Sequence, residues 1–137
     1  MNETDNISFS TDKSKLNIDL IVRYLHNESY WAKERPEETI RKSIKNSLCI
    51  GIYCGEVQIG FARIVSDFAT VYYLADIFII PAYQNRGIGH RLMDFIDNIE
   101  GLKNIRGILT TQTAHSFYKK FGFTQDNEIV QQRMMTK

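Results

Sequence analysis

The chain has 137 residues, 43% of them hydrophobic and 24% charged, with a formal net charge of +1. That length supports one domain, residues 1–137, around one hydrophobic core, and the composition is that of a globular chain. The near-neutral balance leaves no electrostatic footprint for nucleic acid, and no apolar segment approaches membrane-spanning length. The first ten residues lack the basic and apolar regions of a signal peptide, so a cytoplasmic location is expected.

Residues 1–6 are polar and are expected to carry no regular structure, and 7–11 suit a short edge strand. Over residues 17–26, Ile18, Ile21, Val22 and Leu25 recur at helical spacing and predict an amphipathic helix. The stretch Asn27-Glu28-Ser29-Tyr30-Trp31 breaks that period and carries the only tryptophan. Pro36 fits the first turn of a second helix over 37–46, with Glu37 and Glu38 near its positive end. Residues 48–53 and 57–65 read as strands joined by the hairpin loop Cys54-Gly55-Glu56. If Cys49 and Cys54 share a strand they lie ~16 Å apart on opposite faces, too far for a disulfide, and read as two small buried residues.

A turn at 67–70 leads into an apolar run over 71–80, of strand length, in which Asp76 is the only charge. Pro81 ends it, because proline cannot donate a ladder hydrogen bond. Gln84-Asn85-Arg86-Gly87-Ile88-Gly89 follows, and then a helical period over about 86–98. A strand feeding a glycine-bearing turn that opens a helix favours a phosphate ligand, since the first helical turn has free N–H groups and a positive dipole end. The dinucleotide fingerprint would need a third glycine where Leu92 stands, and a nucleotide-triphosphate loop would need Lys-Ser/Thr where His90 and Arg91 stand. Beyond Gly101 the pattern gives a strand near 105–110 and a short helix over 113–120. Gly122 ends that helix, and a last strand is expected near 127–134. Periodicity alone yields a mixed α/β domain.

Two motifs narrow this. Gln84-x-x-Gly87-x-Gly89 between strand and helix resembles the acetyl-CoA pyrophosphate loop of the GNAT superfamily of N-acetyltransferases. Thr111-x-x-Ala114-x-x-Phe117-Tyr118-x-x-x-Gly122-Phe123 is similar to the family segment that lies along the CoA arm. Thr111 stands where the family more often has Asn, and still offers a hydroxyl donor. The order of elements matches the family over nearly the whole chain. The resemblance implies an α/β (α+β) fold with a mixed, largely antiparallel sheet of about six to seven strands, splayed between strands 4 and 5, and about four flanking helices.

The same resemblance implies acetyl-CoA as cosubstrate and no metal. Backbone N–H groups of Asn85, Arg86, Gly87, Ile88 and Gly89, with the Arg86 guanidinium and Gln84, would hold the pyrophosphate. Main-chain atoms of Ile77, Phe78 and Ile79 would pair with the pantetheine like an added strand. Thr111, Ala114 and Phe117 would line the CoA arm. Tyr118 is the general-acid candidate: a phenol of pKa ~10 can protonate a departing thiolate of pKa ~8.5. Otherwise it is a core tyrosine beside Phe117 and Phe121.

Asp76 could bind the acceptor ammonium or draw its proton through a water, or it could be a structural ion pair with Arg63 as one partner. Tyr30 and Trp31, with Glu28 nearby, lie in the region that forms the acceptor side of the family's site, and Trp31 could instead close the core. His26, His90 and His115 have no Cys or carboxylate set to complete a metal site. The resulting expectation is an acetyl-CoA-dependent N-acetyltransferase acting on a primary amine of a small molecule, with a homodimer left open. A protein or peptide acceptor, and a non-catalytic acyl-CoA-binding regulatory module, are the alternatives.

Overall fold

The computed structural model describes residues 6–125 and 131–133. Among them, five strands form one sheet in the order β1-β2-β3-β4-β5: β1 Ile7–Ser10, β2 Leu48–Cys54, β3 Val57–Ser66, β4 Val71–Ile79 and β5 Arg106–Leu109. The first three pairings are antiparallel and β4 pairs with β5 in parallel. Four α-helices flank the sheet: α1 Ile18–Asn27, α2 Glu37–Lys45, α3 Ile88–Asp97 and α4 His115–Lys119. The strand expected near 127–134 falls largely outside the described residues, which leaves five strands where six to seven were expected.

Local chemistry sets the helix ends. The Asn17 side chain accepts from the Leu20 N–H at 3.1 Å and caps α1, which buries Ile21, Val22 and Leu25. Pro36 stands just before α2 with its φ fixed at −60°, and Glu37 and Glu38 meet the positive end of the dipole. Ile40 and Ile44 turn inward from that helix. The sheet separates two apolar clusters. Residues Ile50, Ile52, Ile64 and Leu74 pack with Ile88, Leu92, Met93 and Ile96 of α3 on one face. Phe61 and Phe78 pack with α1 and α2 on the other.

Strand β4 changes its partnership half-way along. β5 pairs with it only from Val71↔Arg106 to Leu74↔Leu109. Beyond Leu74 no described strand covers that edge, so the backbone of residues 75–79 is paired to β3 alone. This is the splay between the fourth and fifth strands that the sequence resemblance implied. The β3 side is also interrupted, because the register passes from Phe61↔Phe78 to Arg63↔Ala75. Two residues of β4, Asp76 and Ile77, therefore stand opposite the single Ala62. That is a β-bulge, and Asp76 adopts a φ of 51° within it.

The bulge decides which way Asp76 faces. Leu74 belongs to the cluster against α3, and Phe78 to the cluster against α1 and α2. An uninterrupted period of two would put positions 74, 76 and 78 on one face. The extra residue flips the strand between them, so Asp76 leaves the apolar α3 face and joins Arg63 on the other.

Gly60 lies opposite Ile79, where the two strands come close: a Cβ there would stand 2.7 Å from the Phe78 carbonyl oxygen and 2.9 Å from Ile52 Cδ1. Backbone cannot yield as a side-chain tip can. Gly60→Ala is therefore expected to lower the unfolding free energy by ~1–3 kcal/mol, the range for overpacking, as read by urea denaturation. An unchanged midpoint would mean that β4 shifts at little cost.

Candidate active site

The splay opens a cleft of about 560 Å³ between the connection from α1 to α2, β4 and the segment that follows β5. Tyr30, Trp31, Asp76, Ile77, Thr111, Ala114 and Tyr118 all line it. These are residues that the sequence offers in three separate parts of the chain. The glycine loop and Phe117 lie outside that lining. Phe78 is buried against α1 and α2, so only its main chain could serve a ligand on the open edge of β4.

The glycine turn is shaped by two residues of positive φ, Asn85 at 64° and Gly87 at 78°, with Arg86 between them outside that region. Such alternation turns successive N–H groups toward one side, the geometry of an anion-binding concavity. Gly87 is the N-cap of α3, which opens with no side-chain cap and no acidic residue in its first turn. A Cβ on Gly87 would meet nothing within 4 Å, so the ground in front of it is open to a ligand. The Gln84 amide donates to the Ile79 carbonyl at 2.7 Å and braces the loop against the end of β4. Arg86 lies over the Tyr83 ring, 5.2 Å from its centroid.

Gly89 has a second reason to be glycine. A Cβ there would approach the Phe117 ring to 3.2 Å, so α4 packs directly on the start of α3. Phe117 in turn contacts the rings of Tyr118 and Phe121, at centroid distances of 5.1 and 5.3 Å. The two motifs read separately from the sequence thus meet at one contact. Thr111 accepts from the Ala114 N–H at 3.1 Å and sets the turn into α4. Burial pushes the Tyr118 phenol above its ordinary range, and the neighbouring Tyr30 adds to this.

Asp76 is the most heavily engaged group in the cleft. Its Oδ1 accepts from Trp31 Nε1 at 2.8 Å, and its Oδ2 accepts from Arg35 Nη1 at 2.8 Å and Arg63 Nε at 2.9 Å. The pair with Arg63 considered from the sequence is present, and Arg35 joins it. Only 3% of the Asp76 side chain is exposed, against 15% for Arg63 and 26% for Arg35. Burial pushes this carboxyl up, but the two guanidiniums and the hydrogen bonds from Arg63 and Trp31 outweigh it and hold the carboxyl below its ordinary value.

Arg35 escaped the sequence reading because it lies between the helical periods of α1 and α2, where no pattern marks a direction. Its placement comes from loop hydrogen bonds. The buried Ser29 hydroxyl donates to the Leu25 carbonyl and accepts from the Ala32 N–H, while the Arg35 carbonyl lies 2.6 Å from His26 Nε2. Tyr30 reaches across the cleft, its hydroxyl accepting from the Gln112 N–H at 3.3 Å. Among the described residues no cluster of three His, Cys, Asp or Glu side chains could hold a metal ion, and no helix is long and apolar enough to cross a membrane.

Residues 45–125, more than half of the chain, match the family model described as the acetyltransferase (GNAT) domain. The chain belongs to the GNAT acetyltransferase family. A crystal structure described as a GNAT-family acetyltransferase from Xanthomonas campestris pv. campestris is 36% identical, with a TM-score of 0.90 over 94% of this chain and 93% of that one. A protein of Gibberella zeae named as an acetyltransferase is 27% identical over 87% of this chain and 80% of its own length. An acetyltransferase from Clostridium acetobutylicum solved with acetyl-CoA shares the fold at 18% identity, with a TM-score of 0.70 over 93% of this chain and 96% of that one. The protein is thus an acyltransferase that carries out acetyl transfer, and the cleft beside β4 is where this GNAT fold brings its candidate residues together.

In this GNAT domain the Asp76 cluster also fastens the connection from α1 to α2 to the sheet, which a stability measurement can read. Asp76→Asn leaves two guanidiniums side by side without their counter-charge. We expect a loss of ~3 kcal/mol at neutral pH, the low end for breaking a buried pair because both arginines keep some water access. A carboxyl held below its ordinary value contributes fully above about pH 4 and loses that contribution as pH falls through its native value. Urea denaturation should therefore give a constant gap between parent and variant from about pH 8 to 5 that closes on further acidification. Equal stabilities at neutral pH would mean that the pairing contributes nothing net.

Proposed function

We propose that the protein transfers an acetyl group from acetyl-CoA to a primary amine of a small molecule, by direct attack of the amine on the thioester. The observation that carries this reading is the uncovered edge of β4 over residues 75–79, which adjoins a cleft lined by Tyr118. Acetyl-CoA, when bound, supplies the activated acetyl group as a thioester.

The residues present suit that ligand. The open edge of β4 over Ile77, Phe78 and Ile79, where the Ile79 carbonyl already holds the Gln84 amide, offers an extended amide ligand the pairing of a neighbouring strand. The N–H groups from Asn85 to Gly89, at the positive end of α3, suit a pyrophosphate, and the open space before Gly87 lets it approach. Thr111, Ala114 and Phe117 would flank the arm between these two anchors. Tyr118 acts as general acid at the sulfur, and burial keeps its hydroxyl protonated at neutral pH. Asp76 we read as a positioning residue that orients Arg35, Arg63 and Trp31. The bridge from Tyr30 to Gln112 narrows the cleft and favours a small acceptor over a peptide chain.

Two measurements test this. Gly87→Ala adds a Cβ at a φ of 78° on the open side of the loop and should weaken CoA binding ~10-fold in calorimetry, with the fold retained by circular dichroism. Undiminished affinity would move the pyrophosphate elsewhere. Tyr118→Phe keeps the ring contacts with Phe117 and removes only the hydroxyl. Its kcat should fall ~10²-fold, with KM for acetyl-CoA changing much less, because an interaction made in the transition state has been deleted. Since burial raises this phenol, the parent should lose its acid only as pH rises beyond about 10. A kcat within about twofold of the parent, with chemistry rate-limiting, would return Tyr118 to the core.

A further inference from the structure

Among the described residues, the charged side chains lining the cleft are Arg35, Arg63 and Asp76, two cations against one anion. The acidic member is already filled. Both of its oxygens accept hydrogen bonds, three in all, and its side chain is nearly inaccessible. An ammonium entering the cleft finds no free carboxylate among the described residues and meets their surplus positive charge. The basic members are not filled to the same degree. A guanidinium carries five N–H donors, and Arg35 spends one on Asp76 while a quarter of its side chain stays exposed. Arg63 spends donors on Asp76 and on the Ser47 hydroxyl and is more deeply set.

Asp76 fixes the Arg35 guanidinium in place, so the fork is oriented before any ligand arrives. A held arginine with spare donors in a partly desolvated cleft is suited to a planar or tetrahedral oxyanion, which it can grip through two parallel hydrogen bonds. We propose that the acceptor is an amine that also carries an anionic group, a carboxylate or a phosphonate or phosphate, and that Arg35 binds that group. This deepens the transferase reading above and rests on it for the identity of the second substrate. The arrangement also serves the chemistry. Positive charge near the acceptor nitrogen disfavours its protonated form, so the free amine needed for attack becomes more accessible, while the anion on the same molecule supplies the binding. Trp31, 40% exposed and tethered through its Nε1 to Asp76, offers a ring beside the fork against which the acceptor's carbon skeleton can lie.

The test compares matched acceptors. The twenty α-amino acids, their α-carboxamides, the corresponding decarboxylated amines and aminoalkyl phosphonates of similar length are assayed for thiol release with acetyl-CoA. The anionic acceptors should exceed their neutral counterparts by at least ~10-fold in kcat/KM, with the carboxylate and phosphonate arms showing which oxyanion fits. Arg35→Gln should bring that ratio toward one, and Arg35→Lys should restore part of it. A merely structural role for Arg35 would lower both classes together and leave the ratio where it was. Equal turnover of acids and carboxamides by the parent protein, or an unchanged ratio in a folded Arg35→Gln variant, overturns the proposal while leaving the transferase intact. If no acceptor is turned over, calorimetry with N-acetylated amino acids and their N-acetylated carboxamides decides separately. Binding that requires the anion and is lost in Arg35→Gln sustains the anion site though the transferase reading fails, and equal or absent binding of the two overturns the site itself.

Discussion

Asp76 brings a full negative charge onto a sheet face otherwise packed with Phe61, Phe78 and the inner sides of α1 and α2, and its desolvation is tolerable only because three donors converge on it. Those donors come from distant parts of the chain: Trp31 and Arg35 from the connection between α1 and α2, and Arg63 from β3. The carboxylate therefore does more than neutralise itself. It joins a loop of little intrinsic order to the most extensively paired strands of the sheet. The β-bulge makes this possible, since a regular β4 would aim the same carboxylate into the apolar cluster beneath α3.

The bulge and the loss of β5 occur at nearly the same point of β4. Up to Leu74 the strand is paired on both edges, and from there on it is paired on one. A strand interior with free backbone groups is normally a liability, inviting another chain to pair with it. Here the free stretch is short, faces a cleft that Tyr118 of α4 also lines, and is closed by Pro81 at its end. The geometry that weakens the sheet locally is the geometry that makes it useful.

Much of this was legible in the sequence, for identifiable reasons. The helical periods of Ile18 to Leu25 and of Ile88 to Ile96 report directly on which residues face a core, the apolar runs of β2 and β3 are buried on both faces, and the elements fall within a residue or two of their expected bounds. Pro81, Gly87 and Gly122 mark ends because their backbone constraints are local. The partnership between Asp76 and Arg63 could be anticipated because adjacent strands in a hairpin bring such residues close. Arg35 could not be, as it reaches Asp76 across 41 positions from a segment without periodicity. The bulge was hidden for a related reason: Asp76 looks like one more member of a regular strand until the register with β3 is known. Gly89 read as a residue that admits a phosphate, while its contact with Phe117 depends on the docking of two helices that no local pattern encodes.

The two apolar clusters divide the labour of the site. Of the residues proposed for the cofactor and its chemistry, Ile77, Ile79, Phe117 and Tyr118 pack with the cluster that contains α3, and Gly87 opens that helix, whereas the Phe78 side chain lies in the other cluster. The connection that carries Tyr30, Trp31 and Arg35 is seated instead through Ala32 on the cluster built by α1 and α2. The sheet between them touches both, and within it β4 supplies the open edge to one side and Asp76 to the other, while the Tyr30 hydroxyl bridges the cleft to the Gln112 N–H. Packing strain does not pass readily from one cluster to the other when a five-stranded sheet stands between them. Residues of the connection that, unlike Tyr30, make no contact across the cleft can therefore change in size or charge with little effect on how α3 and α4 present the glycine turn and the phenol. On the proposed reading, such a division lets acceptor preference vary while Tyr118 and the Gly87 turn stay fixed, and it places Tyr30, Trp31 and Arg35 in the stretch of the chain where sequence patterning is weakest.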